Sequence, residues 1–244
     1  MDSTFADSIV RAWALVTSAD PVLVGIVGRS LAVSGTACLF GCALGLLLGP
    51  WLAVARFAGR GAVVTVLNTL LAVPSVVVGL LVYLLLSRSG PFGALGWLFS
   101  FPAMVLAQAL LVLPVCTALT RQVVEDAEHA NGEQLRSLGA GGLLRSLLLA
   151  FDERYALLTV LLACFGRAIS EVGAVMIVGG NIEGFTRVMT TAIALETSKG
   201  DLPLALALGL VLLAVVLALN ALIAAVARWR GARSEGLGAL QGAS

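Results

Sequence analysis

Charge is scarce in this sequence. Only 12% of its 244 residues are Asp, Glu, Lys or Arg, about half the share usual in a soluble domain. There is one lysine, Lys199, and one histidine, His129. Fifteen cations face fourteen anions, so no basic surface is available to hold nucleic acid. Disorder is excluded as well, because it needs low hydrophobicity and high net charge. With 59% apolar residues, too little polar surface remains to cover a soluble core. Two further absences bear on catalysis. No Gly-x-x-x-x-Gly-Lys-Ser/Thr loop is present to cradle phosphates. No nucleophile stands beside a base, and no metal ligands cluster along the chain. The chain is therefore read as no enzyme, with no cofactor of its own. Its start is acidic (Asp2, Asp7), and its apolar run breaks at Ser18-Ala19-Asp20-Pro21. A secretory signal starts basic and runs clean. What remains is an integral membrane protein in contact with lipid.

A spanning helix needs about 20 predominantly apolar residues. Five runs qualify: 31–55, 63–86, 95–119, 155–178 and 202–227. The expected fold class is all-α and polytopic, with about five transmembrane helices. Residues 9–16 read as a short interfacial helix rather than a span. Arg and Lys in short loops set orientation. Arg56, Arg60, Arg121, Arg136, Arg145, Arg154, Arg228, Arg230 and Arg233 fall on one side, nine against five on the other. The expectation is an outside N-terminus and a cytoplasmic C-terminus.

Within the spans, Gly41, Gly45 and Gly49 recur every four residues, a pattern that lets another helix approach closely. Pro74 with Gly79 in span two, and Pro114 in span three, predict kinks. Gln108 lies near the middle of span three and reads first as a bridge between helices. Cys38, Cys42, Cys116 and Cys164 all sit at membrane depth, where free cysteine behaves as a small apolar residue. Cys38 and Cys42 share a helix face but have no His or Met companion, so no metal site is expected. Span four carries Arg167 and Glu171 with Ser170 between them. A charge at the bilayer centre costs about 2.5–3.5 kcal/mol on insertion scales, so two on one helix need a reason. Four-residue spacing puts them on one face. Either they form a structural pair, or that face lines a polar pathway.

Beyond span four, the glycine-rich run 179–185 reads as a turn at an outer mouth. Residues 187–194 read as a helix returning toward the membrane, with Arg187 and Lys199 lending mild attraction for anions. The loop over 120–154 is long, and such loops are uncommon without structure of their own. Residues 125–138 read as one helix and 143–150 as another, with a stop at Gly139-Ala140-Gly141-Gly142. Leu135, Leu138, Leu143, Leu144, Leu147 and Leu148 then offer an apolar face. It fits another protein's groove, or it folds back on the membrane domain. His129 is read as solvated and without a role.

The run Glu133-Gln134-Leu135-Arg136-Ser137-Leu138-Gly139 resembles the coupling motif of ABC importer permeases, Glu-Ala-Ala, three residues, then Gly. Glu133 and Gly139 match its ends, while Gln134 and Leu135 replace the alanines. Residues 165–174, from Phe165 through Arg167, Ser170 and Glu171 to Ala174, are similar to the span-four signature of the molybdate and tungstate branch. Residues 72–80, with Pro74 and Gly79, resemble that branch's Pro-Val-Val-Gly span. The run 170–182 is most similar to tungstate-uptake permeases. The resemblance covers 31–227 and implies a MetI-like permease fold. With the orientation expected from the cation bias, the chain divides into an outer segment 1–30, a permease domain 31–227 with a coupling loop 121–154, and a cytoplasmic tail 228–244. The resemblance further implies a homodimer, an ATPase subunit holding ATP and Mg, and an extracytoplasmic oxyanion-binding protein. Glu133, Gln134, Leu135, Ser137, Leu138, Gly139 and Leu143 would couple to the ATPase. Arg167, Ser170, Glu171, Pro74 and Gln108 would line or gate the pathway. Tungstate is the expected substrate, with molybdate or another oxyanion as the alternative. A secondary carrier or channel is the rival class, but no internal repeat of the carrier kind is found.

Overall fold

The computed structural model describes the backbone of residues 5–241 and the side chains of residues 9–225. Asp2, and the side chains of Asp7, Arg228, Arg230 and Arg233, lie outside the described residues. All regular structure among the described residues is helical. In chain order the helices are α1 (Phe5–Thr17), α2 (Pro21–Val54), α3 (Arg60–Leu71), α4 (Ser75–Leu86) and α5 (Phe101–Ser137), then α6 (Gly142–Asp152), α7 (Arg154–Ile169), α8 (Gly173–Gly179), α9 (Met189–Lys199) and α10 (Leu202–Gln241). A single 3-10 turn, Gly93–Leu95, precedes α5.

Among the described residues, three helices are long and apolar enough to cross a membrane: α2, α5 and the Leu202–Ala225 part of α10. The count is five when two bent pairs are each taken as one span. Helices α3 and α4 meet at 98°, and α7 and α8 at 56°. The chain is an all-α, multi-pass membrane protein.

Several expected boundaries move. Helix α1 covers the predicted 9–16 segment, and its 13 residues are too few to span. Helix α2 starts at Pro21, ten residues before the predicted span. The reason is local. Asp20 Oδ1 accepts the backbone N–H of Val22 at 2.9 Å and of Leu23 at 3.1 Å. Pro21 fills the first helical position, where its missing N–H costs nothing. The Ser-Ala-Asp-Pro run that ends α1 therefore also begins α2. Pro74 does more than kink its span, since it separates α3 from α4 altogether. Pro114, by contrast, sits inside an uninterrupted α5.

Helix α5 also absorbs the first predicted loop helix. Its 37 residues span about 55 Å at 1.5 Å per residue, well beyond an apolar layer of about 30 Å. Its last turns therefore project past the apolar layer. At its end, Gly139 N–H donates to Arg136 O (2.9 Å) and Ala140 N–H to Leu135 O (3.0 Å). That is a Schellman cap, and it needs the left-handed backbone of Gly139, at φ +80°.

The chain divides into two compact units. The first takes residues up to 41, 72–112 and 165–216. One core there joins Val33, Val82, Met104, Val175 and Val178. Another joins Ala12, Ile26, Met189 and Leu208. The second unit takes 42–71, 113–164 and the chain from 217. Its cores are Ala53, Val54, Val124 and Leu149, and Leu52, Leu67 and Ala118. Among lipid tails, burial of apolar surface supplies no drive, so close packing decides which helices meet. The glycines of α2 serve that end. A Cβ on Gly41 would lie 3.0 Å from Ala109 O, and one on Gly49 would lie 2.7 Å from Thr120 Cβ. Bulky side chains such as Leu39, Leu47, Leu80 and Leu217 face outward, as a lipid-facing surface requires.

Candidate functional site

The break between α7 and α8 brings together most of the predicted pathway residues. Ending a helix inside an apolar layer strands its last carbonyls, each at a cost of several kcal/mol if left alone. Two side chains serve carbonyls of the last turn of α7, and a third serves one in the break itself. Ser170 Oγ donates to Gly166 O at 2.9 Å. Gln108 Nε2 donates to Ala168 O at 3.0 Å. Thr190 Oγ1, from α9, donates to Glu171 O at 2.7 Å. Gln108 is thus a bridge between α5 and α7. Its Oε1 has no hydrogen-bond partner among the described residues, and a bare acceptor does not attract an anion.

Glu171 is buried at 4% side-chain exposure, while Arg167 remains 48% exposed. Arg167 Nη1 donates to Glu171 Oε2 at 2.9 Å. The other carboxylate oxygen accepts Ala174 N–H at 3.2 Å, near the start of α8. Ser75, just after Pro74, lies at the same turn, its Oγ 3.0 Å from where a Cβ on Gly173 would stand. The pair predicted from four-residue spacing therefore exists, but its two halves differ. The carboxylate is held inside by two donors, and the guanidinium is turned outward. Ser30, Ser34, Gln108, Glu171 and Thr190 line one small polar pocket here. Thr190, Ser75 and Ser30 were not among the predicted site residues. Hydroxyls in an apolar helix are the one signal that points to them.

The two broken spans meet through a glycine. A Cβ on Gly79 of α4 would stand 2.7 Å from Ala174 Cα of α8, and one on Gly173 would lie 2.7 Å from a Val76 methyl. Backbone packs directly on backbone, so the break after Pro74 and the break at Glu171 lie side by side.

The cations Arg187 and Lys199 are engaged rather than free. Arg187 is buried, 3.6 Å from both Glu183 and Glu196, and Lys199 Nζ lies 3.1 Å from Glu196. Glu196 offsets the anion attraction expected of Arg187 and Lys199.

The predicted coupling residues fall on the end of α5 and on α6. Glu128 accepts from Arg136 Nη2 at 2.6 Å and from Arg145 Nε at 3.0 Å, tying the two helices across the Gly139 turn. Glu125 pairs with Arg60 and Arg121, and Arg60 Nε also reaches Leu52 O near the end of α2. Leu135 packs inward against the core of Val124 and Leu149 rather than joining an exposed face. Leu138 (77%), Leu143 (69%) and Phe151 (67%) are strongly exposed. Glu133 and Gln134 are exposed beside them, as is Ser137. Arg56, Glu133 and His129 line a pocket of about 350 Å³ with Glu125, Glu128 and Arg136.

The cysteines arrange differently from the sequence pairing. Cys42, Cys116 and Cys164, from α2, α5 and α7, have sulfurs that all lie within 4.8 Å of one another. Nothing in their spacing announces this, because the contact joins three distant helices.

Two broken spans that meet at a glycine, together with long apolar helices and a helix pair that carries an exposed apolar face, are features of a membrane transport subunit. The chain is 43% identical over 218 residues to the tungstate uptake system permease protein TupB of Peptoclostridium acidaminophilum, covering 89% of this chain and 96% of that one. It is also 43% identical over 205 residues to a probable anion ABC transporter permease of Haloferax volcanii, covering 82% and 88%. The molybdenum transport system permease ModB of Escherichia coli is 29% identical over 183 residues, covering 70% of this chain and 80% of that one. No family model matches the chain. The chain belongs to the ABC importer permease family that includes the tungstate-uptake permeases.

Proposed function

We propose that this chain is the membrane subunit of an importer for a tetrahedral oxyanion dianion, with tungstate preferred over molybdate. The observation that carries the reading is the 43% identity to a tungstate uptake permease across nearly its whole length. The chain works as a homodimer, with its pathway on the dimer axis. Two ATPase subunits dock on the cytoplasmic side and hold the ATP and Mg. An extracytoplasmic binding protein delivers the anion and sets selectivity. The nine-to-five bias of Arg and Lys supports an outside N-terminus and a cytoplasmic C-terminus.

Each proposed role has a physical basis. Glu133, Gln134, Ser137, Leu138 and Leu143 present an exposed charged and apolar surface to the ATPase, and Gly139 sets the angle between α5 and α6. Leu135 supports that surface from inside. Motion of α6 passes through the Glu128–Arg145 pair into α5. In the membrane, Arg167 faces the pathway while Glu171 anchors it, so the local charge is nearly cancelled. Such a pair lowers the barrier to an anion without trapping it. Pro74, Ser170 and Gln108 hold the broken spans in shape around that point.

The test is uptake of tungstate and molybdate by cells lacking the permease, with and without the gene restored. Restored tungstate uptake, competed weakly by molybdate, is the expected result. If neither anion's uptake changes, the assignment fails.

A further inference from the structure

Cys42, Cys116 and Cys164 take no part in the reading above. Each is buried, at 4%, 0% and 0% exposure, and none is in a disulfide. They come from α2, α5 and α7, and all three sulfurs lie within 4.8 Å of one another. A glycine makes the approach feasible, since a Cβ on Gly45 of α2 would stand 2.6 Å from Cys116 Cβ and 2.8 Å from its sulfur. The oxygens recorded near Cys116 Sγ are Cys42 O at 3.8 Å and Thr120 Oγ1 at 3.9 Å.

We propose that these three cysteines form a binding site for a trivalent thiophilic ion, of which arsenic(III) is the representative. Three converging sulfurs select soft ions over hard ones, which want oxygen ligands. Charge then selects among the soft ions. Thiols bind as thiolates, so three of them bring three negative charges into an apolar interior, where net charge is costly. A monovalent or divalent ion leaves that charge partly uncancelled, whereas a trivalent one gives a neutral complex. Arsenous acid is itself neutral at neutral pH and reaches the site without carrying charge into the apolar layer. The reaction is As(OH)3 + 3 RSH → As(SR)3 + 3 H2O. Three As–O bonds and three S–H bonds break, and three As–S and three O–H bonds form. Arsenic stays at oxidation state III, so no oxidant or reductant is needed. The product ties α2, α5 and α7 together at one point and restrains any motion that separates them. This inference does not rest on the identity of the transported anion.

The test uses the full-length chain purified in detergent, exposed to arsenous acid and freed of excess. The expected result is one arsenic retained per chain, with three sulfur neighbours by X-ray absorption. Cys42→Ser, Cys116→Ser and Cys164→Ser should each weaken binding by about tenfold or more, and Cys38→Ser should leave it unchanged. The absorption measurement needs only the natural chain, so it stands even where a serine variant fails to fold. No retained arsenic, oxygen neighbours in place of sulfur, undiminished binding without the three thiols, or loss in Cys38→Ser would each overturn the site.

Discussion

Gly79 of α4 and Ala174 of α8 are in backbone contact, with room for no side-chain carbon between them. A Cβ on Gly79 would lie 2.7 Å from Ala174 Cα and 3.2 Å from its carbonyl oxygen. The two helices are the second arms of the two broken spans. Their contact sets Ser75 and Val76 beside Gly173, two residues from Glu171, so the shape of the polar site depends on a missing methyl group.

Enlarging that glycine should separate the arms. Gly79→Leu forces extra volume into a filled interface, which costs about 1–3 kcal/mol. The expected outcome is a lower melting temperature in detergent and lost uptake, with Gly79→Ala intermediate. A Gly79→Leu protein that melts with the natural chain would contradict the contact.

The Arg167–Glu171 pair separates two roles by its asymmetry. Arg167 is half exposed, so the pair adds about 1 kcal/mol or less to stability. Arg167→Ala should therefore leave assembly nearly intact while uptake falls sharply. Glu171→Ala removes the acceptor for Ala174 N–H as well, and should harm insertion and uptake together. The measurement is uptake per inserted molecule for both variants. Equal losses in Arg167→Ala would mean the pair is only structural.

The end of α5 allows a similar division. Gly139 at φ +80° is strained for any residue with a Cβ, by about 1–2 kcal/mol. Gly139→Val should redirect α6 and weaken capture of the ATPase subunit, with the chain still inserted. Glu133 is exposed, so Glu133→Arg should change stability by no more than about 0.5 kcal/mol yet also reduce capture. Pull-down of the ATPase by the membrane-inserted variants checks both.

Glu128 is the hinge pin between α5 and α6. Glu128→Leu strands the largely buried Arg145 guanidinium, a loss of about 1–3 kcal/mol. Proteolysis at the 138–141 turn should accelerate, while Glu125→Leu should leave that turn protected. Unchanged cleavage in Glu128→Leu would show that the turn is held by other contacts.

Much of the architecture was legible along the chain, and the exceptions share a cause. The apolar runs marked the spans because each must be apolar on its own account. Arg167 and Glu171 were legible because residues four apart on a helix are neighbours. Gly139 was legible as a stop because a left-handed cap is a local event. Pro74 was seen as a kink, but the 98° break depends on what α4 packs against. The start of α2 was misjudged because Asp20-Pro21 ends one helix and begins the next. Arg187 and Lys199 read as free cations; Glu196 stands only three residues before Lys199, but its approach to Arg187 nine residues earlier depends on the fold of the segment between them.

The sequence by itself determined the environment, the approximate spans and the turn at Gly139. These follow from the cost of bare charge and bare backbone in an apolar layer, which each segment bears alone. Only the tertiary structure decided that Thr190 serves the carbonyl of Glu171, that Gly79 receives Ala174, and that three cysteines from three helices converge. Those contacts join residues tens of positions apart, and their partners are chosen by how closely helices can approach, which no stretch of one helix records.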